Sequence, residues 1–203
     1  MTSDDHKPAR AWQRMLSGRR LDLLAPSPHD VAIEDIAHGL ARVARWNGQT
    51  SGAHAFSVAQ HSLLVTEIVA HLNADYDATC LRAALLHDAP EYVIGDLISP
   101  FKSAIGLDYK SFEKRLLAAI HERFEIPVQL DVGVAEAIKN ADRIAAYFEA
   151  TLLAGFSVEE AQIYFGAFRL PKSLADSLNE LIPMPANDAQ SAFLQRFTEL
   201  AGR

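Results

Sequence analysis

The chain is poor in several things, and each shortage narrows what it can be. It has one cysteine, Cys80, in 203 residues, so no intrachain disulfide can form and a reducing compartment such as the cytoplasm is expected. No apolar run reaches the roughly 18 residues that a membrane-spanning helix needs. The opening stretch, MTSDDHKPAR, is polar and mixed in charge, which is not the pattern of a secretory signal. Basic residues are outnumbered, 19 against 26 acidic ones, for a formal net charge of −7. Nucleic-acid binders normally carry a basic surface, because neutralising phosphates drives their affinity. Neither a long nucleic acid nor a membrane is therefore expected as a partner, whereas a small anionic substrate needs only a few local cations. Repeats, low-complexity tracts and internal Gly/Ser/Pro linkers are missing, as is any period-2 segment of useful length.

What is present reads as helix. Hydrophobic residues make up 49% of the chain, ample for one buried core without staples. Ile33, Ile36, Ala37, Leu40 and Ala44 follow helical spacing, with Pro28, His29 and Asp30 placed as a helix start. Val58, His61, Val65, Ile68 and Leu72 mark a second stripe. Residues 77–88 are apolar on nearly every side, as in a buried helix. Phe112, Leu116, Ile120 and Phe124 mark another stripe. Val134, Ile138, Ala141, Ala145, Phe148 and Leu152 form the cleanest one, closed by Gly155. Ser157 and Glu160 look like the capping box of the next helix, and a last helix is expected over 187–201. The fold class is all-α, a single compact bundle of roughly eight to ten helices. Residues 1–20 are expected to form an extension, disordered over about the first ten.

Three polar intrusions interrupt these apolar faces. His61 lies in the seam of its stripe, His87 and Asp88 end the buried helix, and Asp142 stands at the edge of the cleanest stripe. A buried charge or imidazole is costly unless paired or bound to metal. Two histidines and two carboxylates drawn inward from three helices suit a divalent metal with N and O ligands. Taken singly, His61 also fits a hydrogen-bonded core histidine, and Asp142 fits a surface pair with Arg143 or Lys139.

The order His61, then His87–Asp88 within ALLHDAPE, then Asp142 within KNADR resembles the signature of the HD superfamily of metal-dependent phosphohydrolases. ALLHDAPEYVIGDLISPFK resembles a block of its bacterial 5′-deoxynucleotidase branch, as does the pair Arg45–Trp46. LDLLAPSPHDVAIEDIAHGLARVARWNG resembles small phage-associated HD hydrolases. The likeness covers about residues 20 to 155. It implies an HD domain over 21–203, with a motif core at 40–155 and C-terminal helices at 157–203.

The resemblance implies roles for named residues. His61, His87, Asp88 and Asp142 would ligate one divalent ion, whether Mn, Co, Zn, Fe, Ni or Mg. Glu91 would be the catalytic carboxylate and Asp96 a second acid. Arg45 would bind phosphate, Trp46 would crowd the sugar 2′ position, and Lys102 would bind phosphate or order its loop. Plainer readings stand beside these. Glu91 fits a helix N-terminal acid, Asp96 a turn cap, Arg45 a partner of Glu34 or Asp35, Trp46 a core residue and Lys102 a solvated one. Pro90 replaces the small residue usual before the catalytic acid. The chain lacks the extra histidines and the GYP motif of cyclic-nucleotide and cyclic-dinucleotide members, and it is far shorter than the large triphosphohydrolases.

The implied activity is metal-dependent hydrolysis of nucleotides, foremost (deoxy)nucleoside 5′-monophosphates, by a homodimer. The alternatives are a nucleoside triphosphate or alarmone phosphohydrolase, and a non-catalytic nucleotide- or metal-binding module. A helical interaction protein would require the four ligand positions to be coincidental.

Overall fold

A computed structural model of the protein describes residues 11–96 and 107–202. The disorder expected for the first ten residues, and Lys102, lie outside this range. Nine α-helices carry the described fold: α1 (Ile33–Leu40), α2 (Val58–Leu72), α3 (Ala78–Leu85), α4 (Glu91–Ile94), α5 (Leu107–Arg123), α6 (Val132–Leu152), α7 (Val158–Phe165), α8 (Lys172–Asn179) and α9 (Ala186–Ala201). The only described strands, β1 (Trp12–Arg14) and β2 (Arg20–Asp22), form a short antiparallel hairpin that pairs Gln13 with Leu21. The all-α expectation holds.

Helix α2 is the axis of the bundle. It packs against α6 on one side and α3 on another, with α9 and α1 completing its surround. Ten of its fifteen residues are buried, among them Val58, Val65, Ile68 and Val69. A helix so enclosed places polar side chains such as Gln60, His61 and Thr66 in the interior, where partners within the protein replace water. Thr66 donates to the Ser62 carbonyl at 2.7 Å.

The helix starts are written locally. Ser57, Asp77 and Asp131 cap α2, α3 and α6 by accepting from Gln60, Cys80 and Gly133 backbone N–H groups. Ser157 and Glu160 form the expected reciprocal capping box on α7. Each such cap satisfies donors that a helix cannot pair internally. Pro28–Asp30 is a separate 3₁₀ turn with its own capping box on Ser27, and α1 begins only at Ile33.

One boundary corrects the sequence reading. The buried helix over 77–88 stops at Leu85, and His87 and Asp88 occupy a tight turn over residues 86–90. The cause is Pro90, which has no N–H to continue a helical ladder and disfavours helical backbone at the residue before it.

Candidate metal centre and active site

His61 projects from the middle of the bundle and its side chain is wholly buried. Its Nδ1 is 2.6 Å from Glu149 Oε1. An ionised carboxylate only accepts, so Nδ1 carries a proton, and in the neutral ring it is Nε2 that presents the lone pair. His87 is oriented in the same sense: its Nδ1 donates to the Ala84 carbonyl at 2.8 Å, which also leaves Nε2 bare. The two rings lie 5.3 Å apart. Asp88 Oδ2 stands between them, 3.5 Å from His61 Nε2 and 3.3 Å from His87 Nε2.

Both Nε2 atoms are buried and make no aligned hydrogen bond, although Asp142 Oδ1 comes within 3.1 Å of His61 Nε2. Buried polar atoms left over in this way ask for an explanation. His61, His87 and Asp88 each offer a ligand atom within 4.8 Å of the others, and Asp142 flanks this trio. Two imidazoles with their tautomers set by acceptors behind them, plus two carboxylates, fit one divalent cation. The plainer alternatives for Asp142 do not occur: it turns to His61, while Arg143 donates to the Phe165 carbonyl.

Charge in the site is tightly balanced. Burial and the nearby Arg45 oppose positive charge on His61, but Glu149 and Asp142 outweigh them and raise the imidazole to about 10, so the site draws positive charge to Nε2, where a cation competes with a proton. Burial pushes Asp88 upward, and His87, His61 and Arg45 together pull it well below the usual carboxylate range. Asp142 is likewise lowered, against its burial, by His61 and His87. Glu149 is lowered to about 2, because Arg45 and His61 overcome the cost of burying it. Burial disfavours the charged form of Arg45, yet Glu149 and Asp96 raise it further above its ordinary value.

Arg45 and Trp46 enter from a 3₁₀ turn, Arg45–Gly48. Trp46 and Asn47 both adopt left-handed backbone, with φ of 56° and 51°, a region that side-chain-bearing residues occupy at a cost. Arg45 donates from Nε to Glu149 Oε2 at 3.2 Å, its Nη2 lies at ion-pair distance from the same oxygen, also 3.2 Å, and its Nη1 is 3.5 Å from Asp96. It does not pair with Glu34 or Asp35; Asp35 is taken by Ser17. Trp46 donates from Nε1 to Glu149 Oε2 at 2.8 Å and packs edge-on to Phe156 and Phe165. It is half-buried, so it is not a plain core residue.

Glu91 is the first residue of α4, one tight turn beyond Asp88, whose carbonyl receives the Glu91 N–H at 3.0 Å. Its position is that of a helix N-terminal acid, but its 1% exposure is not that of a solvated one. Asp96, expected either as an acid or as a turn cap, is an ion-pair partner of Arg45. Eight of the nine residues singled out in the sequence are therefore described, and all eight lie on α2, α6, the turn at 45–48 or the segment 87–96.

The sequence reading missed Glu149. Its signal was available: it lies four residues after Ala145 in the cleanest stripe and seven after Asp142, on the same helical face. An acid in that register was worth noting.

A model of the family described as 5′-deoxynucleotidase YfbR-like matches residues 35–199. The chain belongs to the YfbR-like family. It is accordingly a metal-dependent phosphohydrolase of the HD type, as the motif order implied. Over 157 residues it is 59% identical to an uncharacterised protein of Rhodobacter capsulatus, covering 77% of this chain and 80% of that one. Over 172 residues it is 30% identical to the uncharacterised protein YfdR of Escherichia coli, covering 85% of each. Its fold is similar to that of the cyanophage S-2L HD phosphohydrolase DatZ, solved with dA and one catalytic Zn2+ ion. That likeness has a TM-score of 0.51 at 17% identity and spans 82% of this chain and 95% of the other. No helix among the described residues is long and apolar enough to cross a membrane.

Proposed function

We propose that this enzyme hydrolyses (deoxy)nucleoside 5′-monophosphates to nucleoside and phosphate. The observation that carries the reading is the juxtaposition of two bare, buried imidazole Nε2 atoms with a guanidinium held on the same carboxylate network. The family description and the nucleoside bound by DatZ support it. The reading includes a cytoplasmic enzyme, in keeping with the lone cysteine, acting as a homodimer.

His61, His87, Asp88 and Asp142 would hold the cation in this scheme. Bound there, a divalent ion would supply Lewis-acid polarisation of a phosphoryl oxygen and a lowered pKa for water. Arg45 binds the phosphate: a guanidinium has five donors, more than Glu149 and Asp96 engage. Glu91 takes a proton from the attacking water, and Asp96 fixes Arg45 for that work. Trp46 stands against the sugar, where its bulk disfavours a 2′-hydroxyl.

The test is phosphate release from ribo- and deoxyribonucleoside mono-, di- and triphosphates. The protein is stripped of metal and then supplied with Mn2+, Co2+, Zn2+ or Mg2+ in turn. Metal-dependent release confined to monophosphates, greatest for the deoxy series, is expected. Release of pyrophosphate or triphosphate would replace this reading with a triphosphohydrolase. Bound metal without turnover would replace it with a binding module.

Trp46→Ala is expected to bring the kcat/KM values of deoxy- and ribonucleotides about tenfold closer, the scale of one lost steric contact. An unchanged ratio would remove Trp46 from sugar selection.

A further inference from the structure

We propose that Glu149 is a positioning residue that fixes, through one carboxylate, both the metal-binding face of His61 and the placement of the Arg45–Trp46 pair. The inference rests on the nucleotidase reading of this site and names the element that couples its two halves.

Each oxygen of Glu149 has a distinct task. Oε1 accepts from His61 Nδ1 at 2.6 Å. Oε2 accepts from Trp46 Nε1 at 2.8 Å and from Arg45 Nε at 3.2 Å. The carboxylate is completely buried, where an uncompensated charge would be very costly and its partners are accordingly held firmly. Because it has no proton to give, it keeps His61 in the Nδ1–H tautomer and so keeps Nε2 available as a ligand atom.

The helix geometry adds to this. Asp142 and Glu149 are seven residues apart on α6, close to two helical turns, and so project from one face. Asp142 approaches His61 at Nε2 and Glu149 approaches it at Nδ1. A single helix therefore grips both nitrogens of an imidazole carried by another. On its other oxygen, Glu149 anchors a turn whose Trp46 and Asn47 are held in left-handed backbone. Such strain persists only where surrounding contacts over-determine it, and the Trp46–Glu149 bond is one of these. Metal affinity and sugar selection, read as separate properties, then share one support.

Glutamine is the informative replacement. With its oxygen toward His61, its amide N–H groups face the N–H groups of Trp46 and Arg45. With its amide toward His61, it forces Nδ1 to accept and moves the proton to Nε2, where it competes with the cation. Neither orientation satisfies both sides.

The experiment measures Mn2+ affinity by competition with a chelator, together with the deoxy-to-ribo ratio of kcat/KM, for the full chain and for Glu149→Gln. The expected result is metal binding about 10- to 100-fold weaker and a deoxy preference reduced by about tenfold, both in protein shown to be folded. A lower melting temperature with unchanged metal affinity and unchanged preference would overturn the proposal, because a merely structural carboxylate does just that. Should Glu149→Gln fail to fold, the ring nitrogens of His61 are observed by 15N NMR in the Zn2+-loaded wild type. A proton on Nδ1 in a strong hydrogen bond is expected, and a bare Nδ1 would overturn the proposal. If wild-type protein binds Mn2+ but releases phosphate from no nucleotide, the nucleotidase reading fails while the affinity and tautomer measurements still decide the role of Glu149.

Discussion

His87→Ala and Asp88→Ala are each expected to strip the bound metal and lower turnover by on the order of 10³-fold or more, since the cation supplies several kcal/mol of transition-state stabilisation. The fold should largely survive. Neither residue belongs to a helix, and the side chains of His87 and Asp88 are 13% and 23% exposed, so water reaches what the truncation leaves behind. The His87 hydrogen bond to Ala84 is worth about 1 kcal/mol, a small part of the stability of a domain this size. Metal content by mass spectrometry, phosphate release and far-ultraviolet circular dichroism separate these effects. Retention of one equivalent of metal by either variant would sink the ligand assignment. The same change at His61 would be a worse test, because it would also leave Glu149 buried without one of its partners.

A second large effect is expected at a residue that is not itself a ligand. In Gly39→Ala the new Cβ would lie 2.7 Å from Tyr92 Cβ and 2.9 Å from the Tyr92 carbonyl oxygen, distances that real methyl groups do not tolerate. Gly39 is within α1, and Gly→Ala in a helix normally stabilises by about 1 kcal/mol. Here overpacking, at about 1–3 kcal/mol, outweighs that gain and reverses the sign. The strain is relieved by moving α4 away from α1, and α4 begins with Glu91. The variant should therefore melt at lower temperature and lose about 10²-fold in kcat, the scale of an ångström-sized displacement of a reacting group, with KM changed less. A raised melting temperature and unaltered kcat would show that the close approach of α1 and α4 can relax without moving Glu91.

The legible parts of this protein are those where one periodicity or one cap decides the outcome. The stripes through Val65 and Ile68, and through Ile138 and Ala145, became the buried faces of α2 and α6. Ser157 and Glu160 became a capping box. His61 and Asp142 stood out because they interrupt those stripes, and they meet within 3.1 Å. The helix end at Leu85 was misjudged because apolar residues run on past it and Pro90 breaks it from a distance. Glu149 escaped because its partners, Arg45 and His61, are about a hundred and about ninety residues away in the chain and no local rule links them. Acids on helices are ordinary; an acid on the inward face is meaningful only once the facing elements are known.

The turn that carries Arg45 and Trp46 is tied off at its base. Arg45 N–H donates to the Phe56 carbonyl and Val58 N–H to the Val43 carbonyl, and Ala44 pairs with Ser57. Ser51 adds a further tie by donating its N–H to the Leu153 carbonyl, and beyond it residues 52–55 are exposed. Because these ties close the loop without residues 53–55, that stretch is open to lengthening at little thermodynamic cost, while the two residues nearest the base stay in register with the ligand helices. This layout lets an enzyme lineage, or an engineer, change the rim around a substrate by insertion and deletion without rebuilding the chemistry beneath it.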